Sequence, residues 1–184
     1  MKTENNLHMK DPLTSPFGIK AEFGYTTKWD AVGAVQGYAI YLPYDDAMLI
    51  HNLTLPRSYL RHPVTEIASW GFGMNRNIQG TLVIPSSVER IGNNAFQGCT
   101  GITHLILGPR IREIGEEAFK DCRSLVSIDL GCMLNKIGKD AFLGCFGVQK
   151  VNFHGIKEQW DWIVNKRTLF PTTTRISCID GIIS

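Results

Sequence analysis

No stretch of this chain holds the roughly 18 consecutive apolar residues that a membrane-spanning helix needs. Met1 to Ser15 is polar and lacks the apolar region of a secretory signal. The chain as given is therefore expected to be soluble, and intracellular unless an export signal has been removed. Charge of one sign is also in short supply. Nineteen Lys and Arg stand against 17 Asp and Glu, a formal net charge of +2, and no run of like charges forms a binding tail. Nucleic acid and anionic membrane surfaces are not expected partners. No Cys-x-x-Cys occurs, no histidine stands where it would complete a zinc site, and no glycine-rich phosphate loop is present. What remains is ordinary: 43% hydrophobic and 20% charged residues, enough to build a core and too many apolar groups for disorder.

The dominant feature is a period. Leu82 to Cys99 is repeated by Leu105 to Cys122 and again by Ile128 to Cys145. Ile91, Ile114 and Ile137, each followed by glycine, step by 23 residues, as do Phe96, Phe119 and Phe142. Val88, Ile111 and Leu134 keep the same step, and so do Cys99, Cys122 and Cys145. Four independent columns holding one period point to stacked repeats. A degenerate unit comes first: Val64, Ile67, Phe72 and Ile78 each lie 24 residues before Val88, Ile91, Phe96 and Ile102. Its strand anchor Leu53 lies 29 before Leu82, so Tyr59 to Pro63 reads as a five-residue insertion in a turn. Asn75 stands where later units carry cysteine, and a partial fifth unit opens with Val151-Asn-Phe153. Each unit reads as a short strand with one buried face, a turn, and a helical or 3₁₀ segment carrying Ala-Phe. One unit cannot bury its own apolar face, whereas stacked units fuse theirs into a continuous core.

The words IPSSVERIGNNAFQGC, REIGEEAFKDC and NKIGKDAFLGC resemble the BspA-like leucine-rich repeat, with its Ile-Pro, Val-x-x-Ile-Gly and Ala-Phe-x-x-Cys. Val151 to Trp160, with Ile176 to Gly181, resembles the tail that ends such arrays, and the likeness spans Asn52 to Gly181. It implies an α/β solenoid, a right-handed leucine-rich-repeat coil with a parallel strand face, of about four to five coils plus terminal caps. It also implies binding rather than catalysis, since members are mostly surface proteins resembling adhesins for host proteins or other cells. The chain divides accordingly into a flexible segment (1–16), an aromatic cap or docking region (17–51), the repeats (52–149) and a capping unit (150–184).

No catalytic site, cofactor or metal is expected. Cys99, Cys122 and Cys145 sit in phase with the core, as small apolar side chains would. Stacking brings their Cα atoms within bridging distance, but parallel Cβ vectors do not converge, so buried thiols are favoured over disulfides or metal. Cys132 and Cys178 fall outside that ladder. Glu116, Glu117 and Asp121 align with Asn93, Asn94 and Gly98, then with Lys139, Asp140 and Gly144, which reads as a solvated surface. His104 and His154 have no nucleophile at a recognisable motif.

A binding surface is expected on the exposed strand face, where side chains between buried positions form columns. The central column is Val83, Ile106, Asp129 and Asn152, and a flanking column is Thr81, His104, Ser127 and Lys150. In the last coil Leu143 and Phe146 replace polar residues of earlier coils. Trp160, Trp162, Ile163 and Leu169 are expected to form an amphipathic helix folded onto that pair, followed by a strand around Ile176 to Ile179. The rival reading of Leu143 and Phe146 is an interface for a partner. Gly37 to Leu42 reads as a strand capping the first coil. Phe17, Phe23, Tyr25 and Trp29 exceed what a cap requires and are candidate docking residues, giving a possible homo-oligomer. Two functions are expected: recognition of an unidentified protein partner, or a structural role in an assembly docked through the N-terminal region.

Overall fold

The computed structural model describes residues 11–14, 20–29, 35–42, 49–163 and 170–183. It is a β-solenoid of about six turns with little helix. In chain order the strands are β1 (Asp11–Thr14), β2 (Lys20–Trp29), β3 (Val35–Tyr41), β4 (Ile50–Thr54), β5 (Ser58–Tyr59), β6 (His62–Ile67), β7 (Ile78–Val83) and β8 (Arg90–Ile91). Then come β9 (Gly101–Ile106), β10 (Glu113–Ile114), β11 (Ser127–Leu130), β12 (Lys136–Ile137), β13 (Lys150–Phe153), helix α1 (Lys157–Trp162), β14 (Arg175–Cys178) and β15 (Gly181–Ile183). One sheet runs β4-β7-β9-β11-β13-β14-β15, parallel until the closing hairpin of β14 and β15. The other runs β1-β2-β3-β6-β8-β10-β12, with β5 paired to β6.

Each of the three full repeats contributes one strand to the long sheet and a two-residue strand, ending on the Ile of Ile-Gly, to the second. Ile91, Ile114 and Ile137 point into the core and are fully buried. The glycine after each is obligatory for packing. A Cβ on Gly92 would sit 2.5 Å from the amide nitrogen of Ser69, and one on Gly138 2.5 Å from that of Glu116. Backbone meets backbone there, so no side chain can yield.

The Ala-Phe segments are not helical, a correction to the sequence reading. Alternate amides bond forward to the next coil, Asn94 to Glu116 O at 2.9 Å, Phe96 to Ala118 O at 2.7 Å and Gly98 to Lys120 O at 2.8 Å, while those between them close single turns, Gln97 to Asn94 O at 3.1 Å and Cys99 to Phe96 O at 3.2 Å. Two left-handed residues per coil turn the chain to make this possible. Trp70, Asn94, Glu117 and Asp140 form one such column; Met74, Gly98, Asp121 and Gly144 form the other. Among the described residues α1 is the one helix.

Inside these turns the phenylalanines stack. Ring centroids lie 4.8 Å apart for Phe72–Phe96 and 5.3 Å for both Phe96–Phe119 and Phe119–Phe142, with planes within 15° of parallel. Phe23 closes one end of the stack against Phe72 at 6.1 Å, and Phe170 closes the other against Phe142 at 5.0 Å. Each ring is fully or almost fully removed from water along the repeats, contributing about 1.5–3 kcal/mol apiece.

Both ends carry caps. β3 pairs in parallel with β6, as expected of the strand at Gly37 to Leu42. The Tyr59 to Pro63 insertion is a hairpin, turned by left-handed Leu60 and Arg61. It stacks Tyr59 on Tyr25 at 3.9 Å, with Tyr38 edge-on at 5.2 Å. At the other end β14 adds to β13 in parallel, which matches the strand expected around Ile176. The tail does not cover Leu143 and Phe146, however, which remain 48% and 79% exposed. Trp160 packs on Phe153 at 5.4 Å and is buried, whereas Trp162 is exposed. Two helical positions apart, their side chains point about 200° around the axis from each other, so one helix cannot bury both. Leu169 lies outside the described residues.

Candidate binding surface

Along each strand of the long sheet, one residue turns into the core and the next turns out. Leu82, Leu105, Ile128 and Val151 are buried. Their neighbours emerge on the outer face in unbroken parallel register. Val83 pairs with Ile106, Ile106 with Asp129, and Asp129 with Asn152. Thr81, His104, Ser127 and Lys150 pair in the same way. The two columns are therefore brought together on one surface.

That surface extends further than the sequence reading placed it. Thr54 pairs with Val83 at one end. At the other, Ser177 pairs with Asn152 and Arg175 with Lys150. Spacing alone misses these additions because Arg175 follows Lys150 by 25 residues, with a helix and a loop between them.

The two halves differ in chemistry. Val83 is half-buried and Ile106 is 40% exposed, giving a small apolar area at one end. At the other, Asn152 donates to Asp129 at 2.5 Å, while Lys150 and Arg175 stand exposed side by side. Neither of these cations has an ion-pair partner among the described residues. Between the halves, His104 shares a 2.8 Å hydrogen bond with Thr103. Asn52, held left-handed at the sheet edge, accepts the amide of Thr81 at 2.9 Å. Every strand in the face is hydrogen-bonded to its neighbours.

Two of the four aromatic docking residues, Phe23 and Tyr25, do not lie on a surface. Phe23 and Tyr25 are fully or nearly fully buried, spent on the phenylalanine stack and the tyrosine cluster. Their expected docking role is thereby corrected: a bare coil end needs this apolar area for its own cap. Phe17 and the side chain of Trp29 lie outside the described residues.

The acidic residues of the third coil serve the turns. Glu117 accepts from Asn94 at 3.2 Å and pairs with Lys120 at 3.0 Å, and Asp121 pairs with Arg123 at 3.3 Å. A second charged feature escaped the sequence reading. Lys28 and Arg90 flank Glu66, and Arg90 and Lys136 flank Glu113, an alternating ladder across the short strands with Arg90–Glu66 at 3.0 Å and Lys136–Glu113 at 2.7 Å. Its signal was present as Glu66, Arg90, Glu113 and Lys136, spaced like the core columns.

The family model for the BspA type leucine-rich repeat region matches residues 48–161 in six copies. A leucine-rich repeat protein from Bacteroides capillosus is similar in structure, at 25% identity and a TM-score of 0.56, over 71% of this chain and 94% of that one. A Treponema pallidum leucine-rich repeat protein aligns at 24% identity and a TM-score of 0.50, over 70% and 68%. The pneumococcal vaccine antigen PcpA aligns at 17% and 0.52, over 94% of this chain and 40% of that one. These last two likenesses concern the fold. A search of curated proteins found no match. No described helix is long and apolar enough to cross a membrane.

Proposed function

The chain belongs to the BspA-type leucine-rich-repeat family, and from that premise we propose that it is a non-enzymatic recognition module of the adhesion type. It holds a segment of a protein partner across the outer face of its long sheet. The observation that carries this reading is the pair of in-register columns, apolar at Val83 and Ile106 and basic at Lys150 and Arg175. An extended segment lying across the strands meets an apolar contact first and a cationic one about three strands later, roughly 14 Å away at the usual strand spacing. Such a surface favours a segment with an apolar residue at one end and a carboxylate at the other. A platform of paired strands also loses little conformational freedom when it binds.

The test is a random peptide library displayed on phage and panned on the intact chain. Enriched peptides that bind the intact chain and are lost with Ile106→Asp or Lys150→Glu support the reading. Peptides that bind those variants equally well, or a complete lack of enrichment, sink it.

A further inference from the structure

The two sheets treat their charges differently. Across the short strands each charge of the ladder is paired: Lys28 and Arg90 hold Glu66, and Arg90 and Lys136 hold Glu113. On the outer face of the long sheet, Asp129, Lys150 and Arg175 have no ion-pair partner among the described residues. Asn152 of the next strand donates to Oδ1 of Asp129, which holds the carboxylate in its own column. Its second oxygen is left to accept from another donor. Register then fixes an order across the face. Apolar Val83 and Ile106 come first and Asp129 one strand later, with Lys150 and Arg175 in the flanking column one and two strands beyond. Asp129 stands about 5 Å from Ile106 and about 8 Å from Lys150, one strand over and two residues back.

We propose, resting on the recognition reading above, that the partner segment carries a basic residue between its apolar residue and its carboxylate. Three chemistries are then read in order: the apolar side chain by Val83 and Ile106, the cation by Asp129, the anion by Lys150 and Arg175. An extended segment presents alternate side chains to one surface about 6.7 Å apart, a step that lies between the two spacings on the face. The segment therefore reads apolar, any residue, basic, any residue, acidic, in either chain direction. Selection works by rejection as well as attraction. An acid in the middle place meets Asp129, and a base in the last place meets Lys150 and Arg175, both like-charge contacts. The ladder on the second sheet offers no such preference, because its charges already satisfy one another.

The experiment pans random peptides of about nine residues, displayed in many copies on phage so that weak contacts add, at low ionic strength. The targets are the intact chain and three variants with unchanged circular dichroism. Asp129→Asn keeps the acceptor for Asn152 and removes the charge. A double variant, Lys150→Gln with Arg175→Gln, removes both cations, and Ile106→Asp removes the apolar contact. The intact chain is expected to enrich the three-part pattern. Asp129→Asn loses the preference for the basic residue and keeps that for the acidic one; the double variant does the reverse. Single enriched peptides bind each neutralised variant about two- to fivefold more weakly, as exposed charge pairs allow. Peptides that depend on Ile106 but lack the basic residue, or whose basic preference survives Asp129→Asn, overturn this inference and leave the recognition reading standing. No enrichment, or enrichment indifferent to Ile106→Asp, overturns both.

Discussion

The thiol of Cys122 donates to the carbonyl oxygen of Phe96, 3.3 Å away in the preceding coil. Cys145 does the same to Phe119 and Cys99 to Phe72, each at 3.1 Å. The cysteine column is therefore a ladder of buried donors that ties each turn to the coil before it. Asn75, at the head of that column, instead accepts the amide of Asn77 at 3.0 Å within its own turn.

This ladder makes stability fall in alkali. Burial pushes the Cys99 thiol up from its ordinary 9.0 to about 12. The neighbouring Cys145 thiol and burial raise Cys122 well above its ordinary value. In the unfolded chain these thiols ionise near 9, so above that pH the folded state holds more protons. Their contribution is complete below pH 9 and is lost as pH rises towards 12. Urea unfolding at pH 8 and at about 10.5 should show a loss roughly 1–2 kcal/mol larger in the parent than in Cys99→Ala. Equal losses would mean that the thiol is not held protonated.

Two adjacent residues of β9 face opposite ways and should respond oppositely. Leu105→Asp buries a carboxylate in the core and is expected to prevent folding or cost several kcal/mol. Ile106→Asp changes an outward position and should cost only about 1 kcal/mol, mostly from the like charge of its register partner Asp129. Thermal melts of the two variants decide it; comparable destabilisation would place Ile106 in the core rather than on the binding face.

Gly138→Ala adds only a methyl group, yet should be among the more damaging small changes. Its Cβ would meet the Glu116 nitrogen at 2.5 Å and the Gly115 carbonyl carbon at 2.6 Å. The expected loss is about 1–3 kcal/mol, the cost of overpacking. A neutral or stabilising result in chemical denaturation would show that the coils can part at that point.

The charged ladder predicts a salt-sensitive contribution. The hydrogen bond from Lys136 holds the Glu113 carboxyl below its ordinary range, with the Lys136 and Arg90 charges adding to it. The stabilisation is present above about pH 4.5 and is lost as pH falls through the depressed value. Glu113→Lys would set a third cation between Arg90 and Lys136, costing about 1 kcal/mol at low ionic strength. That loss should shrink in roughly 1 M salt. A urea midpoint unchanged at low salt would remove the ladder as a source of stability.

Much of the architecture was legible because its determinants repeat. Ile91, Ile114 and Ile137 declare their column by spacing, and the strand alternation around Leu82 and Leu105 declares which residues face out. The columns of the candidate surface could therefore be named before their register was known. Phe23 and Tyr25 show where this fails. An aromatic residue outside the repeat has no column to place it, so a cap and a docking surface look alike until the packing is known. Leu143 and Phe146 fail for a related reason. Their departure from polar columns is visible, but whether the tail reaches them depends on which way α1 turns.

The sequence by itself determined the period, the buried columns and the outward columns between them, because each is a local or repeating pattern. Tertiary structure decided the rest. The Ala-Phe segments are turns rather than helices because their amides find partners in the next coil, a choice set by stacking and not by propensity. Phe23 and Phe170 became the ends of one phenylalanine stack, and Trp70, Met74, Leu143 and Phe146 stayed exposed. These outcomes depend on which surfaces meet across more than twenty residues of chain, and no local pattern carries that information.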